Sequence, residues 1–139
     1  MSVSHPIIAV TGSSGAGTST VKKAFEHIFY RVKVNADVIE GDSFHCLNRV
    51  EFKADMAVAE EQGNTFFSHF GPEANDFSAL EALFKSYGES GTGKRRYYLH
   101  NDEEAAHHNE RMGLNPKRNG GEFTPWENLE AGTDLLFYE

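Results

Sequence analysis

The stretch TGSSGAGTST at residues 11–20 combines closely spaced glycines with hydroxyl side chains. Glycines allow the backbone to turn so that several N–H groups point at one anion, and the positive end of a following helix strengthens that attraction. The hydroxyl of Ser19 or Thr20 is of the type that contacts a Mg²⁺ ion bound to phosphates. The chemistry predicted for this stretch is therefore the binding of nucleotide phosphates together with a divalent cation.

The stretch fits the phosphate-loop pattern G-x-x-x-x-G-K-[ST] at every letter but one, because Thr18 stands where the pattern has lysine. The alternative is a plain Gly/Ser turn between a strand and a helix. The apolar run before the stretch and the helical pattern after it favour the phosphate loop. The missing positive charge must then come from Lys22, from Lys23 or from a C-terminal part that this chain lacks. The predicted nucleotide-binding residues are Gly12, Ser13, Ser14, Gly15, Ala16, Gly17, Thr18, Ser19 and Thr20.

The stretch EGDSFHCLNRVEFK at 40–53 holds a second group of polar residues at spacings of three, four and four, so that a helix would place them on one face. These residues are Asp42, His45, Arg49 and Lys53. They follow the second predicted strand, and open α/β sheets bind ligands beyond the carboxyl ends of their strands. Asp42 is a candidate base for a substrate hydroxyl, with Arg49 and Lys53 gripping an anionic group. The alternative is that Asp42 caps the helix and the basic side chains form a solvated face.

Hydrophobic periodicity predicts the elements that must position these two groups. The continuous apolar run at 6–11 is typical of a strand covered on both faces, and a second strand is predicted at 32–40. An apolar stripe at helical spacing lies between them, which predicts one right-handed crossover of a parallel sheet. The closing run at 134–139, DLLFYE, reads as a buried strand. Because a domain seldom ends on a core strand, we expect the sequence to be an N-terminal fragment.

Two further helices are predicted in the middle of the chain. One covers roughly 50–62 and stops at Gly63. The other starts at a cap, either Asn75 or Asp76, and stops at Gly88.

The remaining segment, up to the closing strand, is predicted to be mostly irregular. Residues 95–100, RRYYLH, indicate a strand, whereas the polar, glycine-containing residues 101–123 indicate a long mobile loop. Thr124 followed by Pro125 is typical of a helix start, with the threonine as cap and the proline in the first helical position.

Composition excludes several classes of protein. The chain has 139 residues, of which 39% are hydrophobic and 24% charged, as in ordinary globular domains. The net charge of −8 argues against nucleic acid or an anionic membrane as the main partner. The sequence contains one cysteine, Cys46, no signal peptide and no run of about 20 apolar residues that would span a membrane. We therefore expect a cytoplasmic protein.

Six segments, taken together, resemble phosphoribulokinase in its proteobacterial form. In order they are IIAVTGSSGAGTSTVK, IEGDSFHCLNR, TFFSHFGPEAND, YGESGTGKRRYYLHNDEEA, FTPWENL and LLFYE. They cover most of the chain in the family's order, which makes the resemblance far more specific than the loop alone. In this branch of the family the loop commonly carries threonine at the lysine position, so Thr18 is compatible with a working ATP site. The implied fold class is α/β, a P-loop NTPase-type parallel sheet flanked by helices.

The resemblance implies transfer of the γ-phosphoryl of MgATP to the C1 hydroxyl of ribulose 5-phosphate, giving ribulose 1,5-bisphosphate in the Calvin cycle. Asp42 matches the proposed catalytic base of the family. Glu139 matches an acidic residue that acts on Mg²⁺, and Ser19 of the loop is the other predicted metal contact. The predicted substrate-binding positions are His45, Arg49, Tyr98 and His100, with Lys53 as a further candidate.

The resemblance also implies a larger and regulated protein. Residues 1–139 are expected to be the N-terminal part of a single kinase domain, truncated at Glu139. The proteobacterial branch is known for activation by NADH, inhibition by AMP and octamers, so these effectors and a homo-oligomer are expected here. Two alternatives stay open: another uridine-kinase-like P-loop kinase, and a nucleotide-binding module without catalysis.

Overall fold

A computed structural model describes residues 3–13 and 15–139, and divides the chain into two compact units. The first unit contains Met1–Gly41, Leu80–Arg95 and Glu127–Glu139, and the second contains Asp42–Ala79 and Arg96–Trp126. The elements in chain order are β1 (Ile7–Ala9), α1 (Thr18–Val32), β2 (Ala36–Ile39), a 3-10 turn (Gly41–Phe44), α2 (Arg49–Glu61), α3 (Phe77–Ser90), β3 (Lys94–Arg95), α4 (Asp102–Met112), β4 (Glu127–Asn128) and β5 (Leu135–Tyr138).

The first unit is built on a parallel sheet of three strands in the order β1–β5–β2. Strands β1 and β2 are parallel to β5 on either side of it, which confirms the predicted parallel arrangement and places the closing strand at the centre. Strand β1 is an edge strand and only half-buried, so the prediction that it is covered on both faces was wrong. Full burial belongs instead to β5, whose residues Leu136 and Phe137 are inaccessible to solvent.

Helices cover both faces of β5 because its side chains alternate between them. Phe137 packs on one face against Phe25 and Phe29 of α1, with ring centroids 5.0 and 5.7 Å away. On the other face the ring of Tyr138 meets Phe84 of α3 at 5.4 Å. A strand sandwiched in this way requires an uninterrupted apolar sequence, which is what LLFY supplies.

The second unit contains α2 and α4, and both helices begin at an asparagine cap. Asn48 accepts hydrogen bonds from the backbone N–H groups of Val50 and Glu51, and the Glu51 carboxylate accepts one from the Asn48 N–H, which completes a capping box. Asn101 accepts from the N–H of Glu104 at the start of α4. Both starts therefore use the same local chemistry to satisfy N–H groups that have no partner inside the helix.

Helix α4 corrects the prediction of a long mobile loop at 101–123. Its first turn is acidic, its last turn contains Arg111, and Gly113 closes it in a left-handed conformation. These features complement the helix dipole and the C-terminal carbonyl groups. Periodicity missed the helix because its buried face is small, with Ala105 and Asn109 as its buried residues.

The predicted helix start at Thr124 was also wrong. The Thr124 hydroxyl accepts a hydrogen bond from the Tyr97 N–H, and the Thr124 N–H donates to the Tyr97 carbonyl oxygen, so this threonine joins two extended segments. The following Glu127–Asn128 is a strand paired with Lys94–Arg95. The predicted strand at 95–100 is therefore shorter than expected, and Tyr98 forms only an isolated bridge with Phe123.

The other helix predictions were close to the observed bounds. Asp76 supplies the predicted cap, since its carboxylate accepts from the Ala79 N–H at 2.9 Å. Helix α3 runs through Gly88 and ends at Ser90, before Gly91 with its φ of +68°. Among the described residues, no helix is both long and apolar enough to cross a membrane.

Candidate functional site

The glycine-rich loop of the first unit has the conformation that its sequence predicts. Gly15 and Gly17 adopt φ values of +80° and +82°, which side-chain-bearing residues rarely reach. A Cβ atom at Gly12 would lie 2.9 Å from the Cβ of Ala16, so this position also requires glycine. Ser14, a predicted contact, lies outside the described residues.

Helix α1 begins directly after the loop, with Gly17 as its N-cap and Thr18 as its first residue. The N-cap Gly17 has no side chain that could accept a hydrogen bond from the first N–H groups of α1, and the first turn of the helix contains no acidic residue. The N–H groups and the positive end of the helix dipole therefore face the loop, and no acidic residue of the first turn itself opposes them. This arrangement suits an anionic ligand.

Two carboxylates lie at the carboxyl edge of the sheet. Glu40 directly follows β2 and Glu139 directly follows β5, and these strands are parallel neighbours. Lys22 of α1 forms ion pairs with both, a close one with Glu40 and one of 3.8 Å with Glu139. Burial disfavours the charge on Lys22, but the hydrogen bond and the negative charges outweigh this and raise the pKa of Lys22. Lys22, one of the candidates to replace the loop lysine, is thus already bound to carboxylates.

The two predicted metal contacts lie side by side. The hydroxyl of Ser19 donates to Oε1 of Glu139 at 3.2 Å, although 120 residues separate them in sequence. Mg²⁺ takes hard oxygen ligands and commonly uses one or two protein oxygens, completing its shell with water and substrate phosphates. A hydroxyl and a carboxylate fit that requirement. Among the described residues no group of three or more His, Cys, Asp and Glu side chains is arranged to hold a metal.

In the second unit, the carboxylate of Asp42 lies between two imidazoles. Its Oδ1 is 3.2 Å from Nε2 of His45, and its Oδ2 is 3.2 Å from Nε2 of His100. The hydrogen bonds from His100 and His45 hold the pKa of Asp42 far below its usual range. The hydrogen bond to Asp42 in turn raises the pKa of His45. The site therefore holds an ionised carboxylate that is hydrogen-bonded by two imidazoles.

Arg49 and Tyr98 complete this cluster. The Arg49 guanidinium donates to the carbonyl oxygen of His100 at 2.8 Å, and its Cζ lies 5.9 Å from the centre of the Tyr98 ring. The Tyr98 ring meets those of His45 and His100 edge-on, at 6.2 and 5.2 Å. Four predicted substrate positions and the predicted base thus come together in one unit.

The prediction that one helix face carries Asp42, His45, Arg49 and Lys53 was wrong. Asp42 is in the 3-10 turn, whereas Arg49 and Lys53 are in α2. The alternative role for Asp42, as cap of that helix, is excluded because Asn48 occupies the cap. Lys53 lies one turn beyond Arg49 and is exposed.

Arg96 fixes the backbone that carries Asp42 and His45. Its guanidinium donates to the carbonyl oxygens of Ser43 and His45, at 2.8 and 2.6 Å. It also lies over the Phe123 ring, 3.8 Å from the ring centre. Carbonyl oxygens held by a rigid, delocalised cation keep the turn in one conformation.

Two polar partners of the histidines were missed by sequence reasoning. Asn75 contacts Nδ1 of His45 through its Oδ1 at 2.9 Å, and Glu104 contacts Nδ1 of His100 through its Oε2 at 3.0 Å. The asparagine followed three residues later by glutamate at 101–104 is a helix-start pattern that could have revealed α4 and therefore Glu104. No comparable local pattern marks Asn75.

The profile of the Phosphoribulokinase / Uridine kinase family matches residues 7–139, which span both clusters. The chain belongs to this family. The predicted resemblance is thereby confirmed.

Two phosphoribulokinases of the family are similar along nearly the whole chain. The plasmid-encoded phosphoribulokinase of Cupriavidus necator is 59% identical over all of this chain and 45% of its own length. The phosphoribulokinase of Nitrobacter vulgaris is 54% identical over 97% of this chain and 44% of its own length. The chain therefore spans less than half the length of these relatives.

A solved phosphoribulokinase structure from Rhodobacter spheroides matches 97% of this chain and 42% of its own, with a TM-score of 0.76 and 44% identity. This match and the observed sheet confirm the predicted fold class, the P-loop kinase fold with a parallel sheet flanked by helices.

Proposed function

We propose that this chain carries the nucleotide and acceptor sites of a phosphoribulokinase of the Calvin cycle. The reaction is transfer of the γ-phosphoryl of ATP to the C1 hydroxyl of D-ribulose 5-phosphate. The observation that carries the proposal is the Asp42 carboxylate with two imidazoles and Arg49 around it, within a chain about half of whose residues are identical to those of proteins named phosphoribulokinase. A base surrounded by cations suits an acceptor that brings both a hydroxyl and a phosphate.

In the proposed reaction, Asp42 acts on the acceptor hydroxyl. The C1 oxygen forms a bond to the γ-phosphorus, the bond from that phosphorus to the bridging oxygen breaks, and ADP leaves. The hydroxyl proton goes to the Asp42 carboxylate, which is ionised at neutral pH. Arg49 and the imidazolium forms of His45 and His100 bind the phosphate of the sugar, with Tyr98 and Lys53 beside them as further contacts.

On the nucleotide side, the loop at 12–20 binds the phosphates of ATP through backbone N–H groups. Ser19 and Glu139 would hold Mg²⁺, which neutralises charge on the phosphates when bound. Lys22 keeps Glu40 and Glu139 from repelling one another, because it pairs with both. Phosphoryl transfer requires mainly alignment and charge neutralisation, and these groups supply both.

The proposal is tested by measuring ADP release by the full-length gene product with three acceptors: ribulose 5-phosphate, uridine and pantothenate. We expect ribulose 5-phosphate to be strongly preferred, since neither competitor carries a phosphate for Arg49 and the histidines. Equal or faster turnover with uridine would establish the uridine-kinase-like alternative. No turnover with any acceptor, despite nucleotide binding, would establish the non-catalytic alternative.

The resemblance further supports control by NADH and AMP, octameric assembly and a cytoplasmic location. Initial rates with each nucleotide test the control, and light scattering of the full-length gene product tests the assembly.

A further inference from the structure

Both ring nitrogens of His100 face carboxylate oxygens. Nε2 is 3.2 Å from Oδ2 of Asp42, and Nδ1 is 3.0 Å from Oε2 of Glu104. Ionised carboxylates accept hydrogen bonds and cannot donate them. Neutral imidazole carries one N–H, so it could satisfy one carboxylate and would turn a lone pair toward the other. An imidazolium with two N–H groups would satisfy both carboxylates at once.

Glu104 is held in place for this contact by the start of α4. Its N–H donates to Oδ1 of Asn101 at 2.9 Å, and its Oε1 accepts from the Asn101 side-chain amide at 3.3 Å. Its Oε2 accepts from the His100 backbone N–H at 2.8 Å as well as from the ring. Burial would raise the pKa of Glu104, but the hydrogen bonds from His100 outweigh it, so the pKa is lowered and the carboxylate stays ionised.

His45 provides a comparison within the same site, because its partner is neutral. Its Nδ1 lies 2.9 Å from Oδ1 of Asn75. The amide nitrogen of Asn75 donates to the carbonyl oxygens of His69 and Gly71, which fixes the orientation of the amide and leaves its oxygen to accept. Asn75 therefore orients the His45 ring without adding charge, whereas Glu104 does both for His100.

We propose that Glu104 is a positioning residue that keeps both ring nitrogens of His100 protonated, so that His100 presents a fixed positive charge to a phosphorylated acceptor. The inference rests on the proposed function for the identity of the acceptor. The charged and titratable groups around this pair are Asp42, His45, Arg49, His69, Tyr98 and His108.

The Glu104–His100 pair contributes little to stability. Both side chains are 42% exposed, and exposed ion pairs are largely compensated by solvent. Its effect lies in the protonation of His100, since an opposite charge within about 4–6 Å favours the charged form of a histidine. Loss of that charge leaves His100 neutral at a pH where it would otherwise bind phosphate.

The test is Glu104→Gln in the full-length gene product. Glutamine has nearly the same size as glutamate, and its backbone N–H and side-chain oxygen can still bond to Asn101 at the start of α4. We expect KM for ribulose 5-phosphate to rise about tenfold at pH 8, which corresponds to one pKa unit, and to return close to the wild-type value at pH 6.5. KM for ATP should stay unchanged at both pH values. The matched control is Glu103→Gln, which removes an exposed carboxylate from the same first turn of α4 and should change neither constant.

A direct measurement accompanies the kinetics: the NMR titration of the His100 ring in wild type and in Glu104→Gln. We expect the midpoint to fall by about one pH unit in the variant. An unchanged midpoint would overturn the proposal. A rise in the KM for ribulose 5-phosphate that is equal at both pH values would also overturn it, because it would show that Glu104 serves only to cap α4. If wild type does not turn over ribulose 5-phosphate, the proposed function fails, while the titration still decides the role of Glu104.

Discussion

The groups predicted to bind phosphate in the first unit are backbone amides, whereas in the second unit they are side chains whose charge depends on protonation. The loop at 12–20 offers N–H groups whose direction is set by Gly15 and Gly17. The cluster around Asp42 offers imidazoles and a guanidinium, already hydrogen-bonded to carboxylates and to a carbonyl oxygen. Phosphate binding in the first unit is therefore predicted to depend on backbone conformation, and phosphate binding in the second unit on side-chain charge.

The two units also differ in how they neutralise their carboxylates. Glu40 and Glu139 share the ammonium group of Lys22, which stays protonated at any physiological pH. Asp42 is paired instead with histidines, which lose their charge near neutral pH unless their neighbours prevent it. The proposed acceptor site should consequently respond to pH over a range in which the proposed nucleotide site does not.

The largest expected effect is on kcat, and it tests whether the second unit carries the chemical step while the first unit binds ATP. Asp42→Asn removes the proton acceptor, so kcat of the full-length gene product should fall about 10²–10⁴-fold. KM for ATP should barely change, because the loop residues are untouched. Steady-state kinetics measure both constants, with Asp55→Asn on the exposed side of α2 as the control. Near-normal kcat would exclude Asp42 as the base.

The next effect concerns the carboxylate edge of the first unit. Glu139→Gln should raise the Mg²⁺ concentration needed for half-maximal activity by at least the 10–100-fold typical of changes near a metal site. Glu40→Gln should have a smaller effect, because the Ser19 hydroxyl bonds to Glu139. Activity titrated against Mg²⁺ distinguishes the variants. Equal shifts for both would assign the metal to the pair of carboxylates and not to Ser19 and Glu139.

A smaller effect tests the dependence of the first unit on backbone conformation. Gly17→Ala places a Cβ in a left-handed conformation with open space around it, so the cost is about 1–2 kcal/mol of backbone strain alone. We expect KM for ATP to rise about 5–30-fold, with acceptor KM unchanged. Gly132→Ala has the same φ sign and the same open surroundings, and should leave KM for ATP unaltered. A normal KM for ATP in Gly17→Ala would show that the loop does not need this conformation.

The smallest effect is the pH response of the wild type. His45 has a raised pKa, so its charged form, and the stability it contributes, are fully present below about pH 6.5 and are lost as pH rises through the higher folded value. KM for ribulose 5-phosphate should therefore increase severalfold on the alkaline side, while KM for ATP stays level. Parallel profiles for the two substrates would contradict the difference between the units.

Local sequence determined the features that arise from consecutive residues. The loop at 12–20 was predictable because its glycines set their own backbone angles and the helix after it begins within the same stretch. The strand at 135–138 was predictable because burial on both faces needs an unbroken apolar run. The roles of Asp42, His45, Arg49, Tyr98 and His100 were suggested by family resemblance and stay predictions.

Tertiary structure decided which side chains meet. Asp42 and His100 are 58 residues apart in sequence, and no spacing rule predicts that Nε2 of one lies 3.2 Å from the carboxylate of the other. The local sequence would allow Thr124 to cap a helix. In the structure its hydroxyl and its backbone N–H instead form hydrogen bonds with the backbone of Tyr97, which joins two extended segments. Glu104 was missed because a helix with a small apolar face leaves little periodicity, and its contact with His100 exists only where α4 begins. Sequence thus determined the conformation of the glycine-rich loop, while the contacts within the proposed acceptor site depended on chain segments far apart in sequence coming together.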